Sequence, residues 1–288
     1  MKKAVTAVLF LLGFSVYLWG QEVNLDVPYV PTPKEVVAQM LKMANVGKDD
    51  LLYDLGCGDG RIVITAAEKF GARGVGVDLN PVRIAESKAN AEKAKVTDRV
   101  QFLNKDLFET SFKDASVLTL YLLPSVNLKL RPKILRELKP GTRVVSHDFT
   151  MGEWEEDQKA EIQGDSYGHS VYFFVVPANV SGTWAWTAPS GSGTVRYQLK
   201  LNQKFQKVSG TLTVGAAELP LKDVKLHGDN LEFKVENKIK DQIVPLFFEG
   251  RANGNTIQGM ENQKTVWIAS RNPDTIKSVD ADAQDGKE

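Results

Sequence analysis

Residues 54–61 read DLGCGDGR, with an apolar run before them at residues 51–53 and a helix-like run after them at residues 62–67. The three glycines of this stretch let the backbone adopt positive φ angles and approach a ligand closely, which residues with side chains resist. The helix that follows presents free N–H groups toward such a ligand. A strand, a glycine turn and a helix in this order predict a binding site for a cofactor that contains adenosine.

The spacing of the glycines narrows the choice of cofactor. The pattern is Gly-x-Gly-x-Gly, with Asp54 in front of it and Asp59 inside it, whereas the dinucleotide fingerprint is Gly-x-Gly-x-x-Gly. Two carboxylates repel a pyrophosphate, but they suit a ligand that carries an ammonium group and a sulfonium. The pattern therefore disfavours a nicotinamide-dependent oxidoreductase. A structural turn that binds nothing is the other alternative.

Acidic residues also follow the next two predicted strands. Asp78 lies at the carboxyl end of the second strand, where an acid binds ribose hydroxyls in Rossmann-like sites. Asp106 follows the third strand, after Leu103. Taken singly, Asp78 is also explained as an acid beside the helix cap Asn80, and Asp106 as an ordinary loop residue. Three acids after three successive strands indicate one cofactor site.

These motifs resemble those of class I S-adenosylmethionine-dependent methyltransferases over residues 27–150. More narrowly, the segment PYVPTP at residues 28–33, followed by residues 54–63, resembles the seven-strand protein-lysine methyltransferases that act on mitochondrial inner-membrane proteins. The resemblance implies S-adenosyl-L-methionine as cofactor, and it places Asp54 near the methionine moiety, Asp106 on the adenine amino group and Leu107 against the adenine ring. The predicted cofactor-binding residues are Asp54, Gly56, Cys57, Gly58, Asp59, Gly60, Asp78, Leu79, Asp106 and Leu107.

The methyl acceptor is expected beyond the carboxyl ends of the strands, where open α/β sheets bind ligands. Tyr121 and Pro124 follow the fourth strand, His147 ends the fifth, and Tyr29 lies in the segment that, by the resemblance, folds over the substrate entrance. We predict Tyr29 and Pro124 as substrate contacts, and Tyr121 and His147 as candidate catalytic residues. His147 is equally well explained as a neutral structural histidine, and Tyr121 fits a pocket wall better than an acid–base group. The fourth strand lacks the Asn/Asp-Pro-Pro-Tyr motif of amino-nucleobase methyltransferases, which argues against DNA adenine as the acceptor.

Two further residue types limit the chemistry. Cys57 is the only cysteine, so the chain forms no intrachain disulfide. We interpret it as a small residue beside the cofactor and not as a nucleophile, because no histidine accompanies it locally. The histidines at positions 147, 169 and 227 are scattered along the sequence, and no metal site is predicted.

The order of the predicted elements indicates two domains. Strands and helices alternate from residue 51 to about residue 150, and two closing strands follow, which predicts a Rossmann-like methyltransferase domain with a mostly parallel seven-strand sheet at residues 21–177. Residues 178–272 alternate apolar and polar residues between turn signals, which predicts roughly eight short strands in a small all-β barrel or sandwich that resembles lipocalin- or avidin-like modules. Residues 273–288 are predicted to be a disordered tail.

The element boundaries follow from apolar runs, caps and breakers. Strands are predicted at residues 51–55, 74–79, 99–103, 116–123, 142–149, 157–163 and 169–176, and helices at residues 61–70, 81–95, 126–138 and, shorter, 107–113. An earlier helix begins at Thr32-Pro33-Lys34-Glu35, with Thr32 as the predicted cap.

The first twenty residues have the layout of a bacterial-type export signal. A short basic start, residues 1–3, precedes an uncharged apolar run at residues 4–19. Retention as an N-terminal membrane anchor is the alternative to cleavage. Both place the rest of the chain outside the cytoplasm, in the periplasm of a bacterium.

Two functions of different classes remain. The first is an S-adenosylmethionine-dependent methyltransferase that acts on an amine of a protein, such as a lysine. The second is an exported binding protein with a degenerate methyltransferase core and a β module that binds a ligand or a protein. The intact acids and glycines favour the enzyme, while the export signal favours the binding protein, because S-adenosylmethionine is made in the cytoplasm. A partner of duplex nucleic acid is not expected, since 36 basic residues balance 36 acidic ones.

Overall fold

A computed structural model describes residues 28–163, 168–190, 193–239 and 242–280. The predicted leader at residues 1–20 therefore lies outside the described residues. Within the described ranges, the structure contains no helix with the length and apolar character needed to cross a membrane.

Seven strands and four helices of the described chain build the first domain. In chain order they are α1 (Lys34–Met43), β1 (Leu51–Leu55), α2 (Arg61–Phe70), β2 (Arg73–Asp78), α3 (Pro81–Ala94), β3 (Val100–Asn104), β4 (Val117–Leu120), α4 (Pro124–Glu137), β5 (Arg143–His147), β6 (Gln158–Gln163) and β7 (Gly168–Val175).

The strands of this domain form one sheet in the order β3-β2-β1-β4-β5-β7-β6. The first five are parallel, while β7 pairs antiparallel with both β5 and β6. Helices α1, α2 and α3 bury apolar residues on one face of the sheet, and α4 covers the other with residues such as Leu130 and Ile134. The predicted Rossmann-like fold with a mostly parallel seven-strand sheet is confirmed.

Three local predictions for this domain are wrong. No helix forms at residues 107–113, because Asp106 turns the chain by accepting the Phe108 N–H at 2.7 Å and so competes with helical hydrogen bonds. The fourth strand is shorter than residues 116–123, since α4 begins at Pro124 and the chain leaves the sheet after Leu120. Thr32 does not cap α1, where Pro33 is the capping residue and no side chain caps the helix.

Nine strands of the described chain form the second domain. They are β8 (Gly182–Ser190), β9 (Gly193–Lys204), β10 (Lys207–Val214), β11 (Ala217–Pro220), β12 (Lys222–His227), β13 (Asn230–Ile239), β14 (Gln242–Asn253), β15 (Thr256–Glu261) and β16 (Thr265–Asn272).

The second sheet is antiparallel throughout, in the order β11-β10-β9-β8-β16-β15-β14-β13-β12. Its edge strands approach each other, since β12 contacts β10 and β11 contacts β13, so the sheet is nearly closed. The interior is aromatic: the ring centroid of Trp186 lies 4.9 Å from that of Trp267 and 6.1 Å from that of Phe248. The predicted all-β domain is confirmed, with nine strands in place of about eight, and these tryptophans pack in its core.

Residues 273–280 differ from the predicted disordered tail. A single 3-10 turn, Pro273–Thr275, follows β16, and the chain then returns to the first domain. Asp280, which is 2% exposed, pairs there with Arg131 of α4, while the Val279 carbonyl accepts the N–H of Phe205, which lies in the turn between β9 and β10 of the second domain, at 2.9 Å. Burial of this ion pair fixes the segment. The rest of the predicted tail, residues 281–288, lies outside the described residues.

Candidate active site

The carboxyl ends of β1, β2, β3 and β4 open into one pocket, which the segment at residues 28–32 covers from the other side. The pocket has a volume of about 1020 Å³ with its open mouth included. Most of the predicted site residues line it: Tyr29, Asp54, Gly56, Cys57, Gly58, Asp59, Asp78, Leu79, Asp106, Leu107 and Tyr121. Three predicted residues do not line it, namely Gly60, Pro124 and His147.

The glycine turn is shaped for close approach of the segment at residues 28–32. Gly58 has a φ of +53°, and a Cβ added there would lie 2.5 Å from Cε2 of Tyr29. The N–H groups of Gly56 and Cys57 both donate to the Val77 carbonyl, which ties the turn to β2. Gly60 has a different task, since it caps α2 with a φ of +79° and packs against Phe102, outside the pocket. The turn is therefore fixed between the end of β2 and the N-terminus of α2, with Tyr29 packed against it.

Asp78 is held in place by the backbone around it. Its Oδ2 accepts the Gly58 N–H at 2.9 Å, and its Oδ1 accepts the Asn80 N–H at 2.8 Å. Each carboxylate oxygen has a second lone pair. The carboxylate is thus fixed at the end of β2 with acceptor capacity left for ligand hydroxyls.

Asp54 is the most buried of the acids in the pocket, at 2% exposure. Its Oδ1 accepts the Thr119 hydroxyl at 2.8 Å, across the pairing of β1 with β4. Burial raises the pKa of Asp54 to about 7; the Thr119 hydrogen bond opposes this shift, and the charges of Asp78 and Asp59 add to it. A cation next to Asp54 would stabilise its ionised form.

Asp59 anchors the covering segment, residues 28–32, through Arg61, a residue of the glycine motif that is not among the predicted site residues but lines the pocket. Arg61 forms an ion pair with Asp59 at 2.6 Å and donates from Nη1 to the Thr32 carbonyl at 2.8 Å. Burial raises the pKa of Asp59, but the hydrogen bonds and charge of Arg61 outweigh burial and hold it below its usual range. Arg83 lies over the Tyr29 ring, 4.5 Å from its centroid. Two arginines of α2 and α3 therefore hold the segment over the pocket.

Asp106 and Leu107 lie at the end of β3, where the resemblance places the adenine ring. Asp106 is oriented by the Phe108 N–H on Oδ1, and both Leu107 and Phe108 line the pocket. Pro124 begins α4 and is exposed, whereas its neighbours Leu122 and Val126 face the pocket. The roles predicted for Asp106 and Leu107 fit this placement, while Pro124 lies outside the pocket lining.

The thiol of Cys57 is expected to be unreactive toward iodoacetamide at neutral pH in the folded protein. The residue is 5% exposed, and burial together with the charges of Asp54 and Asp78 raises the pKa of the thiol. Only the thiolate is a strong nucleophile. Mass spectrometry should find no alkylation of the native protein and complete alkylation in denaturant. Rapid alkylation of the native protein would contradict the packing role.

Tyr121 lines the pocket and contacts His147, which belongs to a polar cluster behind the pocket wall. The ring centroids of Tyr121 and His147 are 3.8 Å apart, and the His147 Nδ1 lies 3.2 Å from the Thr32 hydroxyl. Burial, together with the charge and hydrogen bond of Asp148, raises the pKa of Tyr121. Burial also lowers the pKa of His147 to about 4, with Asp148 opposing the shift and His169 adding to it. Near pH 7 the tyrosine is therefore protonated and the imidazole neutral, and His147 touches the residues around it instead of the pocket.

The histidines at positions 147 and 169 are not scattered in the structure, contrary to the interpretation of the sequence. His147 Nε2 lies 3.0 Å from His169 Nδ1, because the antiparallel pairing of β5 and β7 brings the two strand ends together. Asp148 lies between them and contacts both rings. The two histidines are 22 residues apart in the sequence, so their contact could be predicted only from the pairing of β7 with β5.

Comparisons with known proteins agree with this geometry. A family model described as the ANTKMT methyltransferase domain matches residues 54–158. A protein-lysine N-methyltransferase of Saccharolobus islandicus is 48% identical over 151 residues, which cover 52% of this chain and 94% of that protein. The adenine nucleotide translocase lysine N-methyltransferase of Mus musculus is 36% identical over 133 residues, 46% of this chain and 57% of that protein.

A solved structure with a similar sequence is also a methyltransferase with the demethylated cofactor bound. An RNA methyltransferase from Salinibacter ruber, in complex with S-adenosyl-L-homocysteine, is 51% identical with a TM-score of 0.50, and the match covers 52% of this chain and 96% of that one. This chain spans little more than half the length of the Mus musculus relative, but it matches nearly all of the Saccharolobus and Salinibacter proteins. The chain therefore belongs to the class I S-adenosylmethionine-dependent methyltransferases, in the family that includes the protein-lysine N-methyltransferase of Saccharolobus islandicus, and it is an enzyme that uses S-adenosyl-L-methionine.

Proposed function

We propose that this enzyme methylates the side-chain amine of lysine in a protein. The observation that carries the proposal is the 48% identity to a protein-lysine N-methyltransferase over 94% of that relative's length. The intact cofactor pocket, with Asp54, Asp78 and the glycine turn in place, supports an enzyme over the alternative of a binding protein with a degenerate core.

The pocket suits the chemistry that a lysine acceptor needs. The bound cofactor supplies a methyl group already activated by the sulfonium, so the protein's task is to align the amine with it and to exclude water. A lysine must lose its proton before it can attack, and a desolvated pocket favours the neutral amine. Tyr29 and Tyr121 offer two aromatic walls at the pocket for the aliphatic part of the lysine side chain. Tyr121 keeps its proton, so its hydroxyl can orient the amine but not deprotonate it.

The acceptor can be identified by transfer of a labelled methyl group. Full-length enzyme is incubated with S-adenosylmethionine labelled in the methyl group and with separate protein and RNA fractions of the source cells. We expect the label in protein, and acid hydrolysis should release it as methyllysine. Because the Salinibacter relative is described as an RNA methyltransferase, the RNA fraction is the decisive comparison. Label found only in nucleotides would overturn the proposal. Asp78→Ala protein, for which a much lower cofactor affinity is expected, serves as the control at a low concentration of S-adenosylmethionine.

The affinity for S-adenosylhomocysteine is expected to fall about tenfold per pH unit as the pH drops below 7. Without cofactor, the pKa of Asp54 is about 7, whereas the ordinary pKa of an aspartate is 3.8, so Asp54 stays protonated up to about pH 7. The ammonium group of the ligand next to it would require the ionised form. Calorimetry between about pH 5.5 and about pH 8, a range on both sides of this pKa, would measure how the affinity depends on pH. Asp54→Asn should abolish this dependence. A flat profile for the unaltered protein would show that Asp54 does not bind the amino group.

The same shift has a consequence for stability in the absence of cofactor. Between 3.8 and about 7, the folded protein binds more protons at Asp54 than the unfolded chain does. The contribution of Asp54 to the free energy of unfolding is therefore largest at low pH, and it decreases as the pH rises through this range.

We also propose that the two domains function outside the cytoplasm, in the periplasm or held at the membrane by residues 1–20. The basic start and the apolar run of these residues support export. Fractionation of the source cells, with protease treatment of spheroplasts, tests the location. Degradation of the protein by external protease is expected, and full protection in intact spheroplasts would contradict export.

A further inference from the structure

Three ligand atoms converge at the edge of the sheet where β5 ends and β7 begins. They are His147 Nε2, His169 Nδ1 and Asp148 Oδ2, and the distances between them are 3.0, 3.1 and 3.2 Å. His147 is completely buried, while Asp148 and His169 are partly buried. The cluster belongs to the wall behind the cofactor pocket and not to the pocket lining.

The protons available do not satisfy this arrangement. A neutral imidazole carries one ring proton, and an ionised carboxylate has none to donate. The Thr32 hydroxyl can accept the proton of His147 Nδ1 or donate its own proton to that atom, so His147 Nε2 presents either a lone pair or an N–H to the cluster. In either case one shared proton serves at most two of the three close contacts, and protons on both ring nitrogens would oppose each other. At least one contact is therefore left unsatisfied, whereas a cation would bind a lone pair of each of the three atoms.

Neighbouring groups form hydrogen bonds that orient the three atoms, in the way that ligands of a metal ion are oriented by the residues around them. The second nitrogen of His147 is held by Thr32, and the second oxygen of Asp148 accepts the Ser170 N–H at 2.9 Å. Hydrogen bonds of this kind fix the tautomer and direction of a ligating histidine or carboxylate. Atoms about 3 Å apart can all lie about 2.1 Å from one ion, which is the usual distance from zinc to nitrogen and oxygen.

We propose that His147, Asp148 and His169 bind a divalent transition-metal ion of the zinc type. Two imidazoles and one carboxylate suit such an ion, whereas Mg²⁺ and Ca²⁺ prefer ligand sets made of oxygen alone. The proposal is independent of the methyl acceptor. Its structural consequence is a link from the ion through Thr32 to the covering segment, and through the Tyr121 ring to the pocket wall.

Metal binding by the full-length protein, purified without a histidine tag and stripped with a chelator, tests the site directly. Titration with Zn²⁺ followed by calorimetry should give one site with a dissociation constant in the micromolar range or below, while Mg²⁺ should give no heat of binding. Co²⁺ should produce visible absorption bands of a site with nitrogen ligands. Absence of Zn²⁺ binding by folded protein would overturn the proposal.

Two variants and a matched control assign the site to these residues. His169→Ala and the more conservative His169→Gln are each expected to weaken Zn²⁺ binding at least about 100-fold, because loss of an outer partner of a ligand already costs about 10- to 100-fold. His227→Ala removes the third histidine, which lies on β12 in the second domain, and should leave binding unchanged. Zn²⁺ should also raise the melting temperature of the unaltered protein and of His227→Ala, but not that of His169→Gln. Equal Zn²⁺ affinity in all of these proteins would place the ion elsewhere and refute the assignment.

Discussion

Replacement of Asp78 with alanine is expected to weaken binding of S-adenosylhomocysteine at least about 100-fold. Hydrogen bonds to a charged group contribute about 1.5 to 3 kcal/mol each, and the predicted ribose contact uses two hydroxyls. The carboxylate is already oriented by the Gly58 and Asn80 N–H groups, so the ligand does not have to order it. Calorimetry of the full-length protein measures the affinity directly.

The loss at Asp78 also has a local structural component. Without the carboxylate, the Gly58 N–H loses its acceptor, and the glycine turn is no longer tied to the end of β2 by that bond. Asp78→Asn separates the two effects, because the amide oxygen can still accept one backbone N–H while the negative charge is lost. We expect an intermediate affinity for this variant.

A matched control is provided by Asp98, an exposed aspartate of the same domain outside the pocket. Asp98→Ala should bind S-adenosylhomocysteine as tightly as the unaltered protein does. If Asp78→Ala folds normally and its affinity is also unchanged, the ribose hydroxyls contact another residue and the prediction is wrong.

The predictions that succeeded rest on local patterns or on a rule that holds for all parallel sheets. The helix predicted at residues 61–70 is found at Arg61–Phe70, where Gly60 and Gly71 cap its ends in the left-handed conformation. Asp54 and Asp78 lie in β1 and β2 and Asp106 follows β3, yet all three line one pocket. Parallel neighbours end at the same edge of a sheet, so their order along the chain was enough to bring them together.

The helix predicted at residues 107–113 and the length of the fourth strand failed for local reasons, at Asp106 and Pro124, but the other failed predictions depend on contacts between distant parts of the chain. Thr32 has a capping sequence, but its hydroxyl contacts His147, which is 115 residues away. His147 and His169 meet only because β7 runs antiparallel to β5, and neither spacing nor composition specifies that register. For such a side chain the local sequence predicts one hydrogen-bond partner, but in the folded structure tertiary packing provides a different one.

Residues 273–280 are the clearest case, because their composition indicates disorder and Asp280 is nonetheless buried. Arg131 donates to Asp280 from Nε at 2.7 Å and from Nη2 at 2.9 Å, and it donates from Nη1 to the Met151 carbonyl at 2.8 Å. The guanidinium also lies over the Phe205 ring, 5.0 Å from its centroid. Phe205 belongs to the turn between β9 and β10, so this one cluster joins both domains.

Asp280→Ala is therefore expected to lower the free energy of unfolding by about 3 to 5 kcal/mol. The substitution leaves the Arg131 charge, in a side chain only 8% exposed, with the Met151 carbonyl as its remaining hydrogen-bond acceptor. Urea unfolding followed by tryptophan fluorescence measures the change in the free energy of unfolding. Trp154 is sensitive to this interface because its ring stacks on that of Phe205, with the ring centroids 6.3 Å apart. Asp274→Ala, at an exposed position of the same segment, should change the stability by less than about 0.5 kcal/mol.

The double variant Arg131→Met with Asp280→Leu distinguishes an unpaired charge from lost packing. An apolar pair removes the buried charge and still fills the interface, so most of the stability lost in Asp280→Ala should return. If the double variant is no more stable than Asp280→Ala, the segment contributes through its shape and backbone contacts, such as the Val279 carbonyl with the Phe205 N–H. A loss below about 1 kcal/mol in Asp280→Ala itself would mean that water reaches Arg131 when the partner is removed, since only a solvated guanidinium loses its partner at so little cost.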